Sequence, residues 1–190
     1  MISKKIVFKK KWFDLFEIKD VITNSNFYGI KPLDYVTAVA IDNDGMILLV
    51  IQRRPVIDKN NSLETPGGTV DKGDTPLESI KKELLEELGM SFQKVKHICT
   101  LEPDVGRLMN NLYVFKAENP KQIRDPEKGI KIIKIKPKDI FNLIDKKELR
   151  VKRLQKKNAQ NILGHLIFKA PRSEIRHFLK YSKRICKGNC

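Results

Sequence analysis

Gly68-Thr-Val-Asp-Lys-Gly-Asp74-Thr75-Pro76-Leu77-Glu78-Ser-Ile80-Lys-Lys82-Glu83-Leu84-Leu-Glu86-Glu87-Leu88-Gly89-Met90 is the stretch that decides the fold. Its second half carries full helix punctuation. Thr75 is an N-cap, Pro76 occupies the first helical position, and Glu78 stands three residues after the cap, so Thr75 and Glu78 form a capping box. Leu77, Ile80, Leu84 and Leu88 recur at spacings of three and four and draw one apolar stripe. Gly89 is the natural stop. At about 100° per residue, Glu86 lies to one side of Glu83 and Glu87 to the other, so the carboxylates share one face. Like charges at such spacings cost a few tenths of a kcal/mol per pair in an isolated helix. A bound hard cation such as magnesium reverses that penalty; a solvated acidic face balanced by Lys81 and Lys82 is the competing reading.

The stretch resembles the Nudix box, Gly-x5-Glu-x7-Arg-Glu-U-x-Glu-Glu-x-Gly-U, where U is a bulky aliphatic residue. Gly68, Glu83, Leu84, Glu86, Glu87, Gly89 and Met90 match seven of its nine defined positions. Asp74 stands in the first Glu place and Lys82 in the Arg place, both keeping their charge. Asp74 is one methylene shorter, and Lys82 loses the planar fork. The resemblance implies an α/β/α sandwich on a mixed β-sheet. It implies Mg2+, or Mn2+, held by Glu83, Glu86, Glu87 and the backbone carbonyl of Gly67. It also implies attack of water on one phosphorus of a pyrophosphate, chemistry that metal ions suit because they neutralise phosphate oxygens and lower the pKa of water.

Upstream, Leu48-Leu49-Val50-Ile51-Gln52-Arg53-Arg54-Pro55 followed by Leu63-Glu64-Thr65-Pro66-Gly67-Gly68 resembles the ADP-ribose pyrophosphatase branch of that family. The likeness implies that Arg54 lies near substrate phosphates and Glu64 near substrate or metal. It also implies an aromatic pair stacking on the base, partly across a homodimer interface. Trp12 is the first candidate, with Tyr28 or Phe27 as the second. Packing of Trp12, Phe13 and Phe16 in a core or interface is the alternative, as is a surface ion pair for Arg54. Downstream, Pro103-Asp-Val-Gly106-Arg107 stands where the branch has a Pro-Gly loop, or is only a turn. The general base of the branch lies in an acidic loop before a late strand. Here that loop is Arg124-Asp125-Pro126-Glu127-Lys128-Gly129, so Glu127 is the nearest candidate, with Asp125 behind it and Glu86 as a substitute.

The remaining pattern supplies a sheet. Val36–Ile41 and Met46–Gln52 are apolar runs around the turn residues Asp42-Asn43-Asp44-Gly45, which predicts a β-hairpin. Pro55–Asn61 reads as loop and Ser62–Thr65 as a short strand. Further strands are expected at Val95–Leu101, Asn111–Ala117 and Lys131–Lys136, and helices at Ile140–Ile144, Ala159–Phe168 and Ser173–Tyr181. Together with what the resemblance implies, this divides the chain into an N-terminal strand, dimerisation and base-stacking segment (1–35), a catalytic core (36–150) and a basic helical extension (151–190).

Composition bounds the rest. With 190 residues and 41% apolar content the chain is long enough to bury a core. No apolar run approaches the ~18 residues of a membrane span, which argues against a membrane partner. The basic start lacks an apolar signal region, so the cytoplasm is the default. Cys99, Cys186 and Cys190 are expected to be free thiols, because a Cys-x-x-x-Cys tail alone does not furnish four zinc ligands. The net charge of +15 is uneven: residues 151–190 hold 11 Lys and Arg against one acid, Glu174. Such a tail can attract RNA. With the basic tail beside it, the resemblance implies three functions in order: hydrolysis of ADP-ribose or a nucleotide sugar to a nucleoside monophosphate and a sugar phosphate; action on RNA 5′ ends or caps; and a nucleotide-sugar-sensing regulator that binds nucleic acid through the tail.

Overall fold

The computed structural model describes residues 2–57, 59–140 and 143. Nine strands and one α-helix are found among these residues. β1 (Ile2–Lys9), β2 (Phe13–Asp20) and β3 (Ser25–Pro32) form a three-stranded antiparallel sheet. β4 (Tyr35–Ile41), β5 (Ile47–Arg54), β6 (Lys59–Glu64), α1 (Pro76–Leu88), β7 (Met90–Leu101), β8 (Leu112–Gln122) and β9 (Lys131–Ile135) follow. Their sheet has the order β6-β5-β4-β8-β7, with β9 paired to β5. β4 and β8 run parallel while the other pairs are antiparallel, so the sheet is mixed as expected.

Period-two alternation sorts the strands' side chains between two cores. Val36, Ala38, Ala40, Leu48, Val50, Phe115 and Ala117 face α1 and pack with Ile80, Leu84 and Leu88. Val39, Ile47, Leu49, Leu112 and Val114 face the other way and pack with Ile140 and Leu143. Burying side chains such as Ile80, Leu84 and Leu88 is worth about 1.5–3 kcal/mol each. That burial, rather than helix propensity, holds α1 on the sheet.

The β4–β5 turn forms as read. Asp42 Oδ1 accepts the amides of Asp44 and Met46, and Gly45 takes the left-handed conformation with φ +77°. The segment read as loop over Pro55–Asn61 differs: after a 3-10 turn at Pro55–Ile57, β6 begins at Lys59. Its polar residues pair because β5 presents a free ladder beside them, a non-local cause that a local pattern does not carry. β7 and β8 also outrun the expected strands, since each is the other's partner from Met90↔Gln122 to Leu101↔Leu112. The expected helix over 140–144 is described only at 140 and 143. Those over 159–168 and 173–181, with Cys186 and Cys190, lie outside the described residues.

The N-terminal sheet is tied to the rest through β3. Ile30 exchanges backbone hydrogen bonds with the loop after β7, its amide to the Arg107 carbonyl at 2.8 Å and its carbonyl from the Met109 amide at 2.9 Å. Asp104 organises that loop, its carbonyl accepting the Arg107 and Leu108 amides. Gly106 and Arg107 thus build a turn that docks one sheet on the other.

Candidate active site

The Pro66–Gly68 segment lies alongside β4 as though it were a strand. Ala38 donates to the Pro66 carbonyl and Val36 to the Gly68 carbonyl, both at 2.9 Å. The backbones come so close that a Cβ on Gly67 would strike the Val36 carbonyl, and the Gly67 φ of +153° disfavours a side chain in any case. A Cβ on Gly68 would instead collide with the carboxylate of Glu83. Both glycines are there because something else occupies the space: the β4 backbone in one case, a box carboxylate in the other.

α1 presents its glutamates to this loop. The capping box is formed, with Thr75 and Glu78 exchanging hydrogen bonds, and Gly89 closes the helix with φ +67°. The expected stripe is buried at Ile80, Leu84 and Leu88, whereas Leu77 in the first turn is exposed. Glu87 is 5% exposed. Its Oε2 accepts the Gly67 amide at 2.8 Å and its Oε1 accepts the Gln52 side-chain amide at 2.9 Å. Glu83 is half-buried over Gly68, and Glu86 is exposed.

β5 and β6 add a second charged pair. Arg54 Nε donates to Glu64 Oε1 at 3.0 Å and its NH2 group to Oε2 at 2.8 Å, the two-pronged geometry that only arginine supplies. Glu64 is buried and Arg54 partly open. The Glu64 hydrogen bonds raise the Arg54 pKa most; burial opposes them, and the charges of Glu64, Glu87 and Glu83 add to the rise. Glu64 of β6 thus holds the guanidinium directly, while Glu83 and Glu87 of α1 act on it through their charge.

The two departures from the box turn out to be partners. Lys82 Nζ reaches Asp74 Oδ2 at 2.6 Å, tying the loop to the helix, and the Asp74 carboxylate raises the Lys82 pKa. A shorter acid has been matched by a straight, flexible amine.

Beyond α1 the chain folds back onto the helix end. Ile123 and Arg124 donate their amides to the Gly89 carbonyl, Arg124 Nε donates to the Leu85 carbonyl, and Gln122 Nε2 donates to the Gly89 carbonyl. The bonds to the Gly89 carbonyl serve an acceptor beyond the last helical turn, while the Leu85 carbonyl accepts Arg124 in addition to the Gly89 amide. The Glu127 amide then donates to the Glu86 carbonyl at 2.8 Å. The acidic loop is thereby brought to the box helix, with Glu127 exposed. Sequence reasoning missed Gln52, Gln122 and Arg124; the Gln-x-Arg spacing of 52 and 54 on one strand face was the available signal for the first.

The aromatic candidates lie apart from one another. Trp12 sits at the β1–β2 connection, exposed, with Lys11 Nζ 4.6 Å from its ring centroid. Tyr28, on β3 opposite Glu17, donates its hydroxyl to Glu17 at 3.2 Å. The register sets Phe13 against Pro32 and Glu17 against Tyr28. Four residues of strand, about 14 Å, therefore separate the two ends.

Among the described residues, no three His, Cys, Asp or Glu side chains are gathered into a ready-made metal cage. The donor chemistry nonetheless fits a hard cation: Glu83 against Gly68 and Glu87 on the Gly67 amide bring carboxylate oxygens to one loop.

A mixed sheet with a Gly-Gly loop beside its first long strand and a glutamate-rich helix behind it defines a Nudix domain, and the NUDIX domain family model matches residues 31–155. The chain belongs to the Nudix family and is a Nudix hydrolase, a class that acts on nucleoside diphosphate derivatives and generally uses divalent metal ions. It is 26% identical over 157 residues to an ADP-ribose pyrophosphatase of Bacillus subtilis (strain 168), covering 78% of this chain and 84% of that one. It is 42% identical over 60 residues to an 8-oxo-dGTP diphosphatase of Haemophilus influenzae (strain ATCC 51907 / DSM 11121 / KW20 / Rd). That match covers 32% of this chain and 44% of the relative. A crystal structure of an ADP compounds hydrolase superposes with a TM-score of 0.65 at 14% identity, over 97% of this chain and 96% of that one, a likeness of fold. No helix among the described residues is long and apolar enough to cross a membrane.

Proposed function

We propose that this enzyme hydrolyses the pyrophosphate bond of ADP-ribose or a nucleotide sugar in a Mg2+-dependent reaction, releasing a nucleoside monophosphate and a sugar phosphate. The observation that carries the reading is Glu87. It is a buried carboxylate fixed from two sides by Gly67 and Gln52, beside Glu83, Glu64 and the partly open Arg54. A carboxylate is buried at such cost only where a charge partner compensates it. The relationship to an ADP-ribose pyrophosphatase over 78% of the chain supports the substrate class.

In this reading Glu83, Glu86 and Glu87, with the Gly67 carbonyl, hold the ion. When bound, Mg2+ supplies neutralisation of the diphosphate and a lowered pKa for the attacking water. Arg54, steadied by Glu64, binds phosphate oxygens on its open side. Glu127 takes the proton of the attacking water, from a loop whose backbone is anchored on Glu86. Trp12 and Tyr28 contribute to base stacking from separate copies of the N-terminal sheet, which suits a homodimer because their separation within one chain is too great for a single ring. Exposure of Ile6, Phe8, Trp12, Phe27 and Tyr28 on that sheet supports the same assembly. The division into segments 1–35, 36–150 and 151–190 and a cytoplasmic location complete the proposal; RNA contact through the basic tail belongs to the alternative in which the substrate is RNA.

Product analysis tests it with ADP-ribose, nucleotide sugars, dinucleotides and capped or 5′-triphosphate RNA, with and without Mg2+, beside Glu87→Gln. AMP release from ADP-ribose that needs Mg2+ and is lost in the variant is expected. Turnover confined to RNA, falling steeply with salt, would overturn the substrate and bring the tail into the mechanism.

A further inference from the structure

We infer that Gln52 is a positioning residue for the metal site: its side-chain amide fixes the carboxylate of Glu87 in the orientation that receives a divalent cation. The inference rests on the proposed role of Glu87 as a ligand and extends it to a residue on a different element, 35 positions away in the chain. Three observations carry it. Gln52 Nε2 donates to Glu87 Oε1 at 2.9 Å while the Gly67 amide donates to Oε2 at 2.8 Å, so each oxygen of one carboxylate has its own donor. Glu87 is 5% exposed, so solvent does little of this work. Finally, Gln52 and Arg54 are alternate residues of β5, and Arg54 plays the matching part for Glu64 through two hydrogen bonds. A single strand face therefore orients two buried carboxylates, one contributed by α1 and one by β6.

The choice of glutamine has a physical reason. A carboxylate oxygen can accept more than one bond, so a neutral amide on Oε1 leaves acceptor capacity for a cation. A lysine or arginine at position 52 would add a positive charge beside that cation and oppose it. Fixing the carboxylate in advance also removes ordering that ion binding would otherwise require. Partners of this outer kind typically change metal affinity by about 10–100-fold when removed.

Titration of Mn2+ into the full chain without substrate, followed by electron paramagnetic resonance, is the test. Gln52→Met keeps length and volume but removes the donor. Gln52→Asn keeps the amide and withdraws it by one methylene, and it serves if the methionine variant does not fold. Each is expected to bind Mn2+ about tenfold more weakly than the unaltered chain, in a metal-free protein that is still folded though its melting midpoint falls with the lost bond to a buried carboxylate. Affinity within twofold in a folded variant would overturn the inference, and a lowered melting midpoint with unchanged affinity would make Gln52 a packing residue only. Glu87→Gln run in parallel separates the two levels. Unchanged Mn2+ binding in Glu87→Gln removes Glu87 as a ligand and the inference with it. Lost binding there, with binding retained in the Gln52 variants, sinks the inference alone.

Discussion

Replacing Gly89 with alanine perturbs the point where the box helix meets the loop that carries Glu127. Gly89 has φ +67°, and a Cβ built on it would collide with the Arg124 carbonyl. A left-handed conformation costs an L-residue about 1–2 kcal/mol. The collision adds to that, because it must push away a segment whose Ile123 and Arg124 amides both donate to the Gly89 carbonyl. Losing those two bonds costs about 1–3 kcal/mol together. Gly45→Ala is the internal control. Gly45 has nearly the same backbone, φ +77°, but a Cβ there meets nothing within 4 Å. Its cost is the conformational part alone; the restraint that alanine puts on the unfolded chain, about 0.4–1 kcal/mol, is common to both variants and cancels. Urea denaturation of both variants should show Gly89→Ala less stable than Gly45→Ala by about 1–3 kcal/mol, or ~2–12 °C in melting temperature for a chain of this length. Gly89→Ala should also lose activity beyond what its unfolded fraction explains, since the Glu127 amide bonded to Glu86 moves with the displaced segment. Equal destabilisation of the two variants, within about 0.5 kcal/mol, would refute the reasoning: the loop would then not be docked on the helix end as described.

Gly68→Ala should leave the fold intact but weaken Mn2+ binding at least tenfold, because the new methyl displaces the Glu83 carboxylate; calorimetric titration reads it, and unaltered affinity would exclude Glu83 from the site. Asp74→Asn and Lys82→Gln should each reduce kcat, and the double variant should be no slower than the slower single one, since both break the same 2.6 Å pair; additive losses would show that the two act independently. Asp42→Asn should flatten the acid limb of stability against pH. Burial raises the Asp42 pKa, but hydrogen bonds from Lys134 and the Met46 and Asp44 amides outweigh it, so the folded pKa lies below that of the unfolded chain. Its stabilisation is thus full above the unfolded value of about 3.9 and is lost as pH falls through the folded value. Identical acid midpoints for the variant and the unaltered chain would contradict the assignment.

Local signals sufficed for α1. The Thr75 cap, Pro76, Glu78 and Gly89 act within one or two turns, so their order in the chain dictates their geometry, and the helix runs from Pro76 to Leu88 as read. The β4–β5 turn is legible for the same reason, as is the presence of Glu83, Glu86 and Glu87 on one helix. β6 was not legible over Lys59-Asn-Asn, because a polar strand forms only where a partner's ladder awaits it. Nor did the sequence reveal that the two exceptions to the box, Asp74 and Lys82, answer each other across eight residues.

By itself, then, the sequence determined the family, the helix with its caps, and which side chains could hold a cation, since each depends on residue type at short spacing. Tertiary structure alone decided which of those side chains meet. Arg54 pairs with Glu64, Gln52 reaches Glu87, and the Glu127 loop closes on the end of α1. Those contacts join different elements of the fold, and they exist only once two cores have packed on opposite faces of one sheet and fixed the distances between its strands and the helix.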